Sequence, residues 1–184
     1  MAGDIAALAP LRSLLVLDLS FTKVGGDVKY LAPLVRLRSL QLSFTSVAGD
    51  IGALGPLLRL TSLKLDGTGV AGDVQTMTSL IRLQHLYLSG SDSKPVRVVG
   101  DVGALAPLVR LQALMLANTF VAGDIADLAP LVALTYVDFY DTRVVGDIAV
   151  LAPMENLTHI GCRDTKVTGR RRCSHSLYIL YETR

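Results

Sequence analysis

The chain is poor in aromatic, sulfur-containing and imidazole side chains. Its 184 residues include no tryptophan, two cysteines and three histidines, and aromatic residues make up 5% of the sequence. So few aromatic rings argue against a surface that stacks nucleic-acid bases. Two cysteines say little about the redox compartment. The histidines do not form a catalytic set with any identifiable nucleophile, so we expect a protein that is not an enzyme and uses no cofactor.

Strong net charge and long apolar runs are also missing. The formal net charge is +2, which is too small to argue for a nucleic-acid or anionic-membrane partner. Apolar residues make up 51% of the chain and the mean hydropathy is +0.46, yet no apolar run approaches the roughly 18 residues of a membrane helix. No signal peptide is recognisable at the start. The compartment therefore stays open, with the cytoplasm favoured.

The sequence does contain one short motif that repeats many times. "SFTKVGGDV" begins at Ser20 and "SFTSVAGDI" begins at Ser43, and the Gly-Asp pair returns along the whole chain. Successive aspartates are separated by 23, 23, 23, 28, 23 and 23 residues. A fixed period of this size predicts a solenoid in which each repeat stacks on the next. The aspartates are Asp4, Asp27, Asp50, Asp73, Asp101, Asp124 and Asp147.

Each repeat contains two kinds of apolar spacing. Leu40 and Leu42 alternate with polar residues, which predicts a strand with one buried face. After the next Gly-Asp pair, apolar residues follow at steps of three, as in Ile51, Leu54 and Leu57, which suits short 3₁₀ turns. We expect the strands of successive repeats to form one parallel sheet and the turns to cover the opposite side. One repeat cannot bury its leucines alone, so stacking must create the core.

The repeat resembles the leucine-rich repeat, whose core pattern is L-x-x-L-x-L-x-x-N-x-L. "LSFTSVAGDI" is similar to the plant-specific class, and "DI-x-x-L-x-P-L" is similar to the SDS22-like and bacterial classes. The resemblance implies an α/β fold: a right-handed solenoid with a parallel sheet on the concave face and short 3₁₀ or helical turns on the convex face. Threonine or serine stands where the family has asparagine. Ser91 holds this place in the repeat with the insertion. The threonines should point inward, and they are Thr22, Thr45, Thr68, Thr119, Thr142 and Thr165.

The repeats define a leucine-rich repeat domain over residues 1–169 and a non-repeat tail over residues 170–184. The domain holds about seven repeats and a five-residue insertion near 93–99. No polar segment precedes the first coil, and solenoids need polar caps. We therefore expect self-association through the N-terminal rung or a lost capping segment. The tail is either a cap or an irregular end.

Two charged columns allow more than one interpretation. The aspartates can cap the turns that follow them, or they can form a metal ladder; the cap is favoured because the ligand-rich loops of calcium sites are missing. A partial column of arginines precedes the strands: Arg36, Arg59, Arg82 and Arg110. A solvated edge is the favoured interpretation of these arginines, and an acidic partner is the alternative. The G-x-G-x-x-G match from Gly67 to Gly72 follows from the repeat and does not indicate a dinucleotide site.

Function in a solenoid is expected at positions that the repeat leaves free. On the strands these positions are small and polar in early repeats and larger in late ones, and tyrosine, methionine and arginine are enriched at interface centres. Insertions often map to the binding face. These arguments predict binding of a protein or peptide ligand on the concave face. The predicted partner-binding residues are Tyr87, Met115, Tyr136, Asp138, Tyr140, His159, Arg163, Lys94 and Arg97.

Two alternatives stay open at this point. The chain can be a structural spacer or a fragment of a longer leucine-rich repeat receptor or scaffold, whose binding surface lies elsewhere. It can also bind ice or another flat surface through the threonine column, which requires those side chains to be exposed.

Overall fold

The period-two leucines form strands as expected. The computed structural model describes residues 3–91, residues 96–169 and the strand Tyr178–Leu180, of which only the backbone is described. One three-residue strand per repeat pairs in parallel with its neighbours, and leucine faces leucine across each pair, as in Leu40 opposite Leu63. In this first sheet the strand order follows the chain. Its strands are β1 (Val16–Asp18), β3 (Ser39–Gln41), β5 (Ser62–Lys64), β7 (His85–Tyr87), β9 (Ala113–Met115), β11 (Tyr136–Asp138), β13 (His159–Gly161) and β15 (Tyr178–Leu180).

The tail contributes the last of these strands. The backbone of Tyr178–Leu180 pairs in parallel with β13, so that Ile179 lies opposite Ile160. This strand covers the β13 edge of the sheet, which would otherwise present unpaired backbone groups.

A second parallel sheet corrects the expectation of a single one. The valine step and the Gly-Asp pair, predicted as a corner, form extended strands because each valine points into the core while its neighbours point outward. Val47, Val70 and Val121 are fully buried or nearly so. The strands of this second sheet are β2 (Gly25–Asp27), β4 (Ser46–Asp50), β6 (Gly69–Asp73), β8 (Arg97–Asp101), β10 (Phe120–Asp124), β12 (Arg143–Asp147) and β14 (Lys166–Thr168).

Short 3₁₀ segments follow the strands of the second sheet, as the three-residue apolar steps predict. Each begins directly after an aspartate, and η2 to η7 bury their first and last residues in the core, such as Ile51 and Leu54, whereas η1 buries only its first residue. The segments are η1 (Ile5–Leu8), η2 (Val28–Leu31), η3 (Ile51–Leu54), η4 (Val74–Met77), η5 (Val102–Leu105), η6 (Ile125–Leu128) and η7 (Ile148–Leu151).

All seven aspartates cap these segments, which confirms the structural interpretation of the column. In each case Oδ1 accepts a hydrogen bond from the backbone N–H two residues later, at 2.8 or 2.9 Å. The backbone at each cap is extended, with φ between −107° and −85°. This geometry satisfies one of the backbone donors that the first turn leaves open.

The glycine before each aspartate is required by the previous repeat. Gly49 has φ +110°, a conformation that strains any residue with a side chain. A Cβ built on Gly49 would also collide with the carboxylate of Asp27, the cap of the preceding repeat. The same relation links Gly72 to Asp50 and each later pair in the column. The Gly-Asp phrase therefore recurs because the aspartate of one rung occupies the space left by the glycine of the next.

The threonine column points inward, as predicted. Every threonine donates from Oγ1 to the carbonyl three residues earlier, at 2.6 or 2.7 Å. The interior members are buried, whereas Thr22 and Thr165, at the two ends of the column, are more exposed. The buried members are Thr45, Thr68, Thr119 and Thr142.

In the repeat with the insertion, the predicted member of this column is wrong. Ser91 is exposed, and Val96 is buried to 1% exposure instead. Val96 precedes the core residue Val98 by two positions, as each threonine precedes its valine. The insertion is thus absorbed before Val96, and β8 pairs with β6 without loss of register.

One continuous core runs through the solenoid and includes Cys162, as its place in a leucine column predicts. Burial raises the pKa of the Cys162 thiol to about 12, so the thiol is in its neutral form at physiological pH. In the first rung, Leu8, Leu14 and Leu19 are only half-buried. The expected self-association through that rung stays a prediction.

Removing a cap tests the role of the aspartate column. We expect Asp50→Ala to lower the free energy of unfolding by about 1 kcal/mol, the usual loss for an N-cap. Asp127→Ala, which removes an acidic residue that lies inside η6 and is not its cap, should change it by less than about 0.5 kcal/mol. Chemical denaturation measures both.

The melting temperature of the parent should not change in EDTA. A clear drop would mean that the aspartate column binds metal.

Candidate binding surface on the first sheet

The outward positions of the first sheet form columns that the strand register brings together. Tyr136 lies opposite His159, and Asp138 lies opposite Gly161 on one side and Met115 on the other. Tyr87 lies opposite Met115. Neighbouring strands of the sheet are about 4.8 Å apart. The predicted residues on the late strands therefore lie side by side on one face.

Two aromatic contacts organise the late part of this face. The rings of Tyr136 and His159 stack with centroids 5.2 Å apart and an interplanar angle of 23°. The guanidinium of Arg163 lies 6.0 Å from the ring centroid of Tyr140. Cation–π and stacking contacts of this kind restrain side chains that would otherwise be mobile. These four residues form what we call the late platform.

Asp138 lies on the same strand as Tyr136, beside the late platform, and is more than half buried. Its Oδ1 accepts a hydrogen bond from the N–H of Tyr140 at 3.0 Å. A Cβ at Gly161 would collide with the Asp138 carboxylate, so the carboxylate lies over this glycine. Burial raises the pKa of Asp138 above its usual value of 3.8, since a carboxylate loses hydration there.

Tyr87 belongs to a separate group at the middle of the sheet. The ammonium of Lys64 lies 4.8 Å from its ring centroid, and His85 approaches the ring edge-on at 6.4 Å between centroids. Burial, and then the charge of Lys64, lowers the pKa of His85. Met115 links this group to the late platform by its place in the column.

Of the two residues predicted from the insertion, the one that the structure describes lies away from this face. Lys94 lies outside the described residues. Arg97 is exposed and is the first residue of β8, in the second sheet. The prediction treated the whole insertion as loop, whereas the chain resumes its extended path at Arg97.

A pocket that sequence reasoning missed lies among the early strands. Its volume is about 380 Å³. Phe21 and Phe44 stack above it with centroids 4.9 Å apart and are 78% and 54% exposed. The pocket is lined by Asp18, Ser20, Phe21, Gln41, Ser43, Phe44, Lys64, Asp66 and Tyr87.

The conformation of the two phenylalanines is costly. Phe21 and Phe44 have φ of 59° and 58°, in the left-handed region. Gly67, Asn118 and Asp141 hold the same place in other repeats, and these residue types tolerate that region far better. Strain of this kind concentrates at functional sites. The phrase "SFT", which occurs twice in the sequence, was the available signal.

Asp66 forms the polar floor of this pocket. One carboxylate oxygen accepts from the N–H of Ser89 at 3.0 Å, and the other lies 3.1 Å from the hydroxyl of Ser43, which donates to it. Burial nevertheless raises the pKa of Asp66 above 3.8, because desolvation outweighs these two hydrogen bonds.

Neither a metal centre nor a membrane span is found within residues 3–91 and 96–169. No group of three or more His, Cys, Asp or Glu side chains there could hold a metal ion. No helix in the same ranges is long and apolar enough to cross a membrane.

Comparison with known proteins finds relatives only among solved structures. No protein-family model matches the chain, and no curated protein sequence does. The plant peptide hormone receptor RGFR1, solved in complex with RGF2, superposes with a TM-score of 0.79 at 22% identity over 91% of this chain and 27% of that chain. The LRR ectodomain of the Arabidopsis thaliana receptor kinase GASSHO1/SCHENGEN3, solved in complex with CASPARIAN STRIP INTEGRITY FACTOR 2, gives 0.68 at 26% over 90% and 23%.

The protein is a leucine-rich repeat solenoid. Its short parallel strands, its 3₁₀ turns and its structural neighbours agree on this fold. The chain spans about a quarter of the length of these two receptor chains.

A plant ice-binding protein is a third structural neighbour, with a TM-score of 0.60 at 21% identity over 84% of this chain and 57% of that chain. This likeness shows the leucine-rich repeat fold alone. The threonine column, the feature through which flat-surface binding was considered, is buried in its interior repeats. That route to ice binding is therefore wrong for this chain.

The raised pKa of Asp66 predicts a pH effect on stability. The carboxyl of Asp66 keeps its proton to higher pH in the folded chain than in the unfolded chain. Ionisation of Asp66 therefore lowers the free energy of unfolding as the pH rises through 3.8 towards the folded-state pKa. We expect the free energy of unfolding of Asp66→Asn, relative to the parent, to increase over that range.

Asp27 provides a control of opposite sign, because its cap hydrogen bond with Lys29 lowers its pKa. Asp27→Asn should lose stability relative to the parent as the pH rises through the lowered folded-state pKa towards 3.8. Denaturation curves at several pH values measure both, and equal behaviour of the two variants would contradict the assignment.

Proposed function

We propose that this chain is a non-catalytic module that binds a protein or peptide partner through the first sheet. The observation that carries the proposal is the late platform, where Tyr136 stacks on His159 and Tyr140 lies against Arg163. Tyrosine and arginine supply much of the binding energy in protein interfaces. Because these side chains already contact one another, a partner has less side-chain freedom to remove on binding.

The pocket among the early strands extends this surface. The Phe21–Phe44 pair offers apolar contact, and Asp18 and Lys64 place opposite charges on the pocket wall. Lys64 in β5 and Tyr136 in β11 are three rungs apart, about 14 Å at the usual strand spacing. A peptide of about five extended residues covers that distance. One partner segment can therefore reach both the pocket and the late platform.

Two solved structures with the same fold support this use of the scaffold. RGFR1 was solved with RGF2 bound, and the GASSHO1/SCHENGEN3 ectodomain with CASPARIAN STRIP INTEGRITY FACTOR 2 bound. Fold likeness alone does not determine function. The argument for this chain therefore depends on its own surface residues.

The contact between Thr158 and His159 does not point to catalysis. Thr158 Oγ1 lies 2.9 Å from His159 Nδ1, which superficially suggests a nucleophile beside a base. The Thr158 hydroxyl, however, donates its proton to the carbonyl of Thr135 at 2.9 Å. It can then only accept a hydrogen bond from the imidazole, so the histidine does not activate it.

The competing proposal is a structural spacer or a fragment of a longer leucine-rich repeat receptor or scaffold. The chain spans only part of its receptor neighbours, and in a spacer the late platform would be ordinary surface. The two proposals differ in whether the tyrosines matter for binding.

Random peptides displayed on phage and selected on the immobilised chain decide between them. We expect recovered peptides to lose at least about tenfold in affinity for the double variant Tyr136→Ala and Tyr140→Ala, because interface tyrosines commonly contribute more than about 1 kcal/mol each. Tyr30→Ala is the matched control, since Tyr30 is an exposed tyrosine on η2. A double variant of Lys94 and Arg97 to alanine tests whether the insertion contributes to binding.

Thermal denaturation should show equal melting temperatures for the parent and for the tyrosine variants. If no peptide is recovered, or if the recovered peptides bind the double variant as well as the parent, the first-sheet proposal is wrong and the spacer proposal remains.

A further inference from the structure

A row of exposed apolar side chains crosses the turns that lead into the first sheet. In five consecutive repeats, a buried leucine follows the position that is usually proline. The residue directly after that leucine is large and apolar, and it is 49–57% exposed. In the third repeat, for example, Leu58 faces solvent while Leu57 and Leu60 are fully buried. We call this row the apolar ridge, and it consists of Val35, Leu58, Ile81, Val109 and Val132.

The fold does not require apolar residues at this position. Leu58 closes its turn by donating its backbone N–H to the carbonyl of Pro56 at 2.9 Å. Arg12 and Glu155 hold the same place in the first and last of the seven repeats and make the same bond, at 2.8 and 3.0 Å. Charged residues are therefore compatible with the turn. The ridge is apolar only between these two charged ends, and singly scattered apolar residues would not give such a row.

A line of positive charge runs beside the ridge. The residue after each of the first four ridge members is an exposed arginine. The two ion pairs found within residues 3–91 and 96–169 are Lys29 with Asp27 and Arg163 with Asp164, so neither involves these arginines. We call this line the arginine row, and it consists of Arg36, Arg59, Arg82 and Arg110.

On the other side of the ridge the surface stays apolar. Pro56, Pro107 and Pro130 are exposed two residues before ridge members, and a serine, Ser79, replaces proline in the fourth repeat. The complete surface is thus an apolar strip with a positive border along one edge. It is separate from the late platform, because the ridge lies in the turns and not on the strands.

We propose that the apolar ridge and the arginine row dock an amphipathic α-helix of a partner protein, with acidic residues along one border of its apolar face. The charge of the helix follows from the arginine row, which has no acidic residue beside it in the repeat. The apolar face follows from the ridge. Helix-in-groove recognition likewise reads the apolar face of an amphipathic helix, through side chains spaced three and four residues apart.

The spacing of the ridge favours a helix over an extended peptide. Neighbouring ridge residues are one rung apart, about 4.8 Å, and five of them span about 19 Å. Side chains on one face of a helix recur every turn, at about 5.4 Å, so they drift from the ridge by only about 0.6 Å per rung. Side chains on one face of a strand recur at about 6.6 Å and lose register after about two rungs. A helix of about 13 residues matches the length.

An anionic bilayer fits the same surface less well. Peripheral membrane surfaces characteristically carry aromatic residues at the interface, and every ridge member is aliphatic. Four arginines are the lower limit of a basic cluster read by anionic lipid. The bilayer is therefore an alternative outcome of the test.

The probe is a synthetic amphipathic peptide of about 15 residues, with leucines spaced three and four apart and glutamates along one border of the leucine stripe. A second peptide carries lysine in place of each glutamate. Fluorescence polarisation measures binding of each peptide to the full chain. We expect the acidic peptide to bind and the basic peptide to bind at least about tenfold more weakly, and salt should weaken the acidic peptide.

Variants locate the bound peptide. Arg59→Glu with Arg82→Glu should weaken the acidic peptide about tenfold, and Leu58→Ser with Ile81→Ser should do the same. The matched controls are Arg143→Glu with Lys166→Glu and Val99→Ser with Val145→Ser, which make the same kinds of change at exposed sites of the second sheet. These should leave affinity unchanged, as should the Tyr136→Ala and Tyr140→Ala double variant. Circular dichroism checks that each variant is folded.

Three results would overturn the proposal. The acidic peptide could fail to bind the parent, or the controls could lose as much affinity as the ridge variants. In the third, the peptide does not bind, but vesicles of phosphatidylcholine with phosphatidylserine bind the parent and do not bind the Arg59→Glu, Arg82→Glu variant. That result would assign the surface to a membrane.

Discussion

The carboxylate of each capping aspartate occupies the space that a glycine of the next repeat leaves open, and the stacking depends on this contact. Asp101 accepts the N–H of Gly103 within its own repeat, while its side chain lies against Gly123 in the next one. A single residue thus ends a strand, starts a 3₁₀ segment and fixes the neighbour's backbone. Because the contact repeats along the column, the rungs are held at one spacing, and the side-chain columns on the first sheet inherit that spacing.

The regular spacing explains why surface chemistry appears as rows. Core leucines and the caps determine the backbone path of the repeats in the same way, helped by a threonine bond in all but the repeat with the insertion, so free positions of successive repeats fall beside one another. The late platform arises where two such rows hold large side chains. The apolar ridge and the arginine row arise in the same way at the turns. A short chain can therefore carry two separate candidate interfaces without any change in its fold.

The sequence predicts the solenoid, the first sheet, the caps and the buried threonines because each depends on contacts that recur at the 23-residue period. It does not predict the second sheet, since the valine step is too short to show strand periodicity and the glycine within it suggests a corner. Counting forward from the core leucines places Ser91 in the threonine column. Val96 holds that place in the structure because the chain must return Val98 to the core. Phe21 and Phe44 were missed because their stacking requires the left-handed backbone of two adjacent turns.

The central claim is that the glycine and the aspartate of successive repeats act on each other. A double-mutant cycle with Gly123→Ala and Asp101→Ala tests it by chemical denaturation. Gly123→Ala alone should be strongly destabilising, since it adds both backbone strain at φ +105° and a collision with the Asp101 carboxylate. With Asp101→Ala already present the collision is gone, so the added loss should be smaller, with a coupling energy of about 1 kcal/mol or more. If the two losses are simply additive, the glycine serves its own backbone only, and the aspartate–glycine contact does not hold the rungs together.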